Sequence, residues 1–132
     1  MSKGSRGENE LGHLFSEKGF SWIRTAGSGT AGRELPDITI GDGDSLAVFE
    51  VKRWSNKADY EYLSKREVED LIFFAEEFGA EYYIASRFDY KKWDFHKKEE
   101  MKETDKSYRI ENVKNEERQR SIDEVCQELK TN

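Results

Sequence analysis

Leu35-Pro36-Asp37-Ile38-Thr39-Ile40-Gly41-Asp42-Gly43-Asp44-Ser45-Leu46-Ala47-Val48-Phe49-Glu50-Val51-Lys52 is the stretch that decides how this chain folds. Asp37 to Ile40 and Leu46 to Lys52 are β-rich runs, and the segment from Gly41 to Asp44 between them holds an Asp-Gly step that favours a hairpin. The two runs are expected to pair antiparallel. In the second, Ala47, Phe49 and Val51 face one way and Leu46 and Val48 the other, so both faces are apolar until Glu50 and Lys52 interrupt them. A strand of that kind belongs in the middle of a sheet.

Upstream, Leu11, Leu14 and Phe15 fall at helical spacing within Glu8 to Lys18, and Gly19 is a natural stop. Phe20 to Thr25 reads as a strand, broken by the glycine-rich loop from Ala26 to Gly32. Downstream, Ser64 to Phe78 reads as a helix opened by a Ser64-to-Glu67 capping box and closed by Gly79. Val68, Leu71, Ile72 and Ala75 suffice to cover a sheet. Phe73, Phe74 and Phe78 carry the apolar stripe further round, which predicts a second buried surface on a partner subunit; the competing reading wraps the helix in the chain's own tail. Glu81 to Arg87 is a further strand. Past Phe88 the pattern weakens, leaving short strands at Trp93 to His96 and Tyr108 to Ile110 and a helix from Ser121 to Leu129.

Strands alternating with helices make this an α/β chain, and 132 residues are enough for one core but not two, so one domain is expected, with a charged extension from about residue 91. No stretch reaches the roughly 20 apolar residues that cross a bilayer, and no secretory signal opens the chain, so a cytoplasmic protein without membrane partners is expected. Cys126, the single cysteine, sits in a helical apolar stripe as buried filler, and His13 and His96 read as isolated surface histidines. A net charge of −6 counts against nucleic acid, but its distribution does not. Lys3, Arg6, Arg24, Arg33, Lys52, Arg53, Lys57, Lys65 and Arg66 all lie in the first half, while acidic residues crowd Glu76, Glu77 and the tail.

The hairpin also carries the chemistry. Glu50 and Lys52 are two apart and share a face, and Asp37 at the start of the neighbouring strand can reach the same edge. Two buried carboxylates repel unless a cation lies between them, and hard oxygen ligands suit Mg²⁺, with Mn²⁺ able to substitute. On a phosphodiester such an ion would polarise a non-bridging oxygen, while Lys52 would orient the attacking water or neutralise developing charge. The bland alternative is a surface Asp beside a cross-strand Glu–Lys pair.

More residues agree in order. Lys3-Gly4-Ser5-Arg6-Gly7-Glu8-Asn9-Glu10-Leu11, Lys18-Gly19-Phe20, Arg24 with Ala26-Gly27-Ser28-Gly29, Pro36-Asp37-Ile38, Phe49-Glu50-Val51-Lys52, Lys65-Arg66-Glu67 and Leu71-Ile72-Phe73-Phe74-Ala75 together resemble the archaeal Holliday junction resolvase family of the PD-(D/E)xK nuclease superfamily. The likeness covers about residues 3 to 88. It implies a restriction-endonuclease-like fold, a mixed central β-sheet flanked by helices, in a homodimer that cuts four-way DNA junctions with Mg²⁺. It implies Asp37, Glu50 and the Val51 carbonyl as metal ligands, Glu8 assisting at the metal, Lys52 as the catalytic lysine and Ser28 near the scissile phosphate. Lys3, Arg6, Arg24, Ser28, Arg33, Arg53, Lys57 and Arg66 would then contact DNA, and Phe74 and Phe78 would lie in the dimer interface. Recombination or replication proteins are conceivable further partners. Two rival functions remain: a nuclease of the same superfamily acting on duplex or flap DNA, and a non-catalytic DNA-binding or assembly protein that keeps the fold.

Overall fold

The hairpin forms as its residues require. In the computed structural model, which describes residues 3–26 and 32–131 with side chains from Arg6 onward, β2 (Ile38–Gly41) and β3 (Leu46–Trp54) pair antiparallel, Ile38 opposite Phe49 and Gly41 opposite Leu46. Asp42 Oδ1 closes the turn by accepting the N–H groups of Asp44 at 3.0 Å and Ser45 at 2.7 Å. Three more strands complete this sheet: β1 (Ser21–Arg24) antiparallel to β2, β5 (Glu81–Phe88) parallel to β3, and β6 (Asp94–His96) antiparallel to β5. The order β1-β2-β3-β5-β6 places β3 at the centre, as its two apolar faces predict.

Each face of β3 meets a different core. Ala47, Phe49 and Val51 pack with Leu11 and Phe15 of α1 (Lys3–Glu17), with Phe95, and with Val125, Cys126 and Leu129 of α3 (Ile122–Thr131). Val48 and Ile84 on the other face pack with Val68, Leu71 and Ala75 of α2 (Lys65–Phe78). The α2 capping box is complete, with both the Ser64 and Glu67 side chains engaged, and the N–H of Gly79 returns to the last turn. Cys126 is buried, as expected.

Some elements depart from the sequence reading. α1 opens at Lys3 rather than Glu8, and Gly7 packs against Arg53 of β3 and the Trp93 ring at its first turns. β4 (Tyr60–Ser64) was not foreseen. It forms a second sheet, β4-β8-β7, with β8 (Ser107–Glu111) and β7 (Lys102–Glu103). His96 is not at the surface but 6% exposed, with Nε2 2.9 Å from Ser86 Oγ, and burial holds its pKa below the usual imidazole value. Asp94, Phe95 and His96 are all buried, so this short strand had no alternation to read. His13 is exposed, as expected, with its ring edge-on to Trp22. The tail supplies Met101, Tyr108 and Ile110 to the α2 core, yet it leaves Phe78 55% exposed.

Candidate active site

Asp37 immediately precedes β2 and is held from both ends: its N–H donates to the Phe49 carbonyl at 2.8 Å, and its Oδ2 accepts the Val51 N–H at 2.8 Å. That grip turns the carboxylate along β3 toward Glu50, close enough for each acid to shift the other's pKa. Glu50 is only 7% exposed. Burial first, and then the charge of Asp37, push the Glu50 pKa up to about 9. Asp37 is raised as well, by burial, against the opposing pull of the Val51 N–H and of Lys52. Two acids pressed together this way are relieved by a proton or a positive ion, and carboxylate oxygens are hard donors of the kind a divalent cation takes.

Lys52 shares the Glu50 face, its Nζ 3.7 Å from Glu50 Oε2 and 2.7 Å from Glu67 Oε2. Burial works to discharge this ammonium, but the bond to Glu67 and the surrounding carboxylates outweigh it and raise its pKa. Glu8 reaches the same neighbourhood from α1: burial and then Asp37 push its pKa up to about 7, opposed by Arg24, whose Nη1 lies 3.8 Å from Glu8 Oε1. Among the described residues no three His, Cys, Asp or Glu side chains form a metal-binding group. The preformed element is therefore the Asp37–Glu50 pair, with Glu8 beside it. Mg²⁺ commonly takes one or two carboxylates and completes its shell with water and substrate phosphate, so such a pair fits it.

The structure thus brings Glu8, Arg24, Asp37, Glu50, Val51 and Lys52 together. Arg53 points to the other face of β3, toward α1, and pairs with Asp89 at 3.2 Å. Arg6 is exposed on α1, and Lys57 is exposed between β3 and β4. Arg33 stacks on Phe73, 3.7 Å from the ring centroid, and Arg66 donates to the Gly32 carbonyl. The Lys3 side chain and Ser28 lie outside the described residues. Phe74 packs on Phe73 and on Phe78 along the outer side of α2.

Two acids escaped the sequence reading as site components. Glu67 enters the sequence reading as a helix cap and as part of the Lys65-Arg66-Glu67 resemblance, without a role at the site. Asp70, 8% exposed, accepts the Glu34 N–H at 3.1 Å and so docks the segment leading into Asp37 onto α2. Its only sequence signal was an acidic residue at a position where the α2 stripe faces inward.

A mixed five-stranded sheet, helices on both faces, and paired acids with a lysine at its central hairpin define a restriction-endonuclease-like nuclease fold. The model of the archaeal Holliday junction resolvase (hjc) family matches residues 1–130, and this chain belongs to that family. It is 41% identical over 110 residues to the crossover junction endodeoxyribonuclease Hjc of Archaeoglobus fulgidus, covering 83% of this chain and 79% of that protein. The Methanocaldococcus jannaschii protein of the same name is 38% identical over 86 residues, 65% of this chain and 59% of the relative. The solved structure of A. fulgidus Hjc, described as a Holliday junction resolvase from an archaeal hyperthermophile, superposes with a TM-score of 0.72 at 36% identity over 81% of this chain and 87% of that one.

Proposed function

We propose that this chain, folded as one nuclease domain, resolves four-way DNA junctions as a homodimer by metal-dependent phosphodiester hydrolysis. The observation that carries the reading is the buried, mutually interacting Asp37–Glu50 pair with Lys52 Nζ 3.7 Å from Glu50. The curated relatives named crossover junction endodeoxyribonucleases support the substrate class.

Asp37, Glu50 and the Val51 carbonyl would hold Mg²⁺, or Mn²⁺ in its place, with Glu8 assisting. Such an ion supplies Lewis acidity at the phosphate and makes water more acidic. Lys52 orients the attacking water and balances charge that develops on the phosphate oxygens. Arg24, beside Glu8, faces the phosphate. Lys3, Arg6, Arg33, Lys57, Arg66 and the loop Ser28 contact the DNA backbone, which positions the substrate without reading its sequence, whereas Arg53, paired with Asp89 on the other face of β3, does not. A junction has two strands of equivalent polarity, and two sites related by a two-fold axis would cut both. The exposed Phe78 and its neighbour Phe74 supply the dimer surface.

The test offers a synthetic four-way junction, a flap and a linear duplex to one preparation with Mg²⁺. Symmetric cuts in the junction are expected, and Asp37→Asn should bind the junction without cutting it. Preference for duplex or flap would reassign the substrate, and tight binding without cleavage in Mg²⁺ or Mn²⁺ would make the protein a DNA-binding module.

A further inference from the structure

Lys52 is a long, flexible side chain in a site where the Glu50 carboxylate competes for it. Its stem has four rotatable bonds, and an ammonium 3.7 Å from Glu50 can fold down onto that carboxylate. If it did so, it would neutralise one of the two acids that the cation requires and would leave the position facing the phosphate. Something must hold Nζ off Glu50.

Glu67 has the geometry to do this, because its two oxygens have separate partners. Oε1 accepts the Ser64 N–H at 3.0 Å and the Ser64 hydroxyl at 3.2 Å, while Oε2 accepts Lys52 Nζ at 2.7 Å. In return, Ser64 Oγ accepts the Glu67 N–H at 3.1 Å. The capping box therefore does more than start α2. It fixes the plane of the Glu67 carboxylate with one oxygen, so that the other is presented to β3 at a set place. Lys52 is then held between two elements, by its own backbone in the sheet and by its ammonium at the first turn of a helix that packs on the same face of that sheet. The Glu67 side chain is itself only 21% exposed, which limits the competition from water for this bond.

We propose that Glu67 is a positioning residue for the reaction: it holds the Lys52 ammonium away from Glu50 and in the attitude in which Lys52 acts. The proposal rests on the nuclease reading given above. It also predicts that helix capping and lysine positioning, both performed by Glu67, can be separated by substitution.

Glu67→Gln keeps an oxygen for the Ser64 N–H, since Gln serves in capping boxes as Glu does, but it removes the charge that holds Lys52. Ser64→Ala does the reverse, removing the hydroxyl that caps the Glu67 N–H while the backbone N–H of residue 64 still holds Oε1 and keeps the carboxylate opposite Lys52. Three measurements are made on the full chain: the single-turnover cleavage rate on a four-way junction with Mg²⁺, the junction Kd in EDTA, and the ¹³Cε relaxation of Lys52 in ¹³C-lysine-labelled protein. For Glu67→Gln, the expected result is a cleavage rate at least tenfold lower with Kd and Tm close to wild type, and a Lys52 signal that acquires the relaxation of solvent-exposed lysines. For Ser64→Ala, Tm falls while the rate at a temperature where the protein is folded, and the Lys52 signal, stay near wild type. The proposal is overturned if Glu67→Gln cleaves like wild type or faster, if its Lys52 stays as ordered as in wild type, or if both variants lose rate in proportion to lost stability. A wild-type protein that leaves the junction uncut would sink the nuclease reading, while the relaxation data would still decide whether Glu67 orders Lys52.

Discussion

Replacing Glu50 by Gln should make the cation-free protein more stable at alkaline pH. Glu50 is 7% exposed, and burial together with Asp37 moves its pKa from 4.5 to about 9. In the unfolded chain the carboxyl loses its proton near pH 4.5, so between that value and about pH 9 the native protein carries a proton that the unfolded chain has given up. Stability must then fall as pH rises through this window, by about 1.4 kcal/mol per unit for one proton. Asp37 is raised beside it, so the slope belongs to the pair. From pH 6 to pH 8 the wild type should lose about 3 kcal/mol that Glu50→Gln keeps. At about 4 °C per kcal/mol for a chain of this size, that is on the order of 10 °C in Tm. The assay is thermal unfolding of both proteins side by side at pH 6, 7 and 8 in EDTA, so that groups common to both cancel. Millimolar Mg²⁺ should restore the wild type at pH 8 and leave the variant unmoved. Parallel Tm-against-pH lines for the two proteins would refute the buried protonated Glu50 and, with it, the cation site inferred from the crowded acids.

The packing and assembly readings can be checked separately. A Cβ on Gly12 would overlap the Trp22 indole where α1 crosses β1, so Gly12→Ala should cost about 1–3 kcal/mol by overpacking, read as a Tm lower by several degrees; an unchanged Tm would mean the helix can lift off the ring freely. Phe78 is 55% exposed on a helix whose inner face is already buried, so Phe78→Asp should convert a dimer to a monomer in sedimentation without lowering Tm at high dilution. A wild type that sediments as a monomer at micromolar concentration would remove Phe74 and Phe78 from any interface.

The sequence disclosed what is local and concealed what is assembled. The hairpin, the central strand and the α2 cap each follow from residues within one or two turns of chain, so spacing placed Asp37, Glu50 and Lys52 at one edge of the hairpin, while their assignment as a site came from the resemblance. β4 stayed hidden because Tyr60-Glu61-Tyr62-Leu63 buries only Leu63 and pairs with β8, far downstream, where Tyr60 lies opposite Glu111. His96 misled because a strand buried on both faces shows no period. Glu67 was hidden in a different way: its capping role was legible from Ser64 three residues before it, and that reading accounted for the residue completely. Nothing in a linear pattern says which oxygen of a capping carboxylate is left over, or that a lysine on another strand will lie 2.7 Å from it. The same limit applies to Asp70, whose partner is the backbone of Glu34. Both acids sit in the opening turns of α2, and both act on the Asp37–Lys52 region from outside the hairpin. α2 is therefore more than a cover for the sheet: one of its acids docks the approach to Asp37 and the other orients Lys52, so a shift of its N-terminal end would disturb the acid and the lysine together.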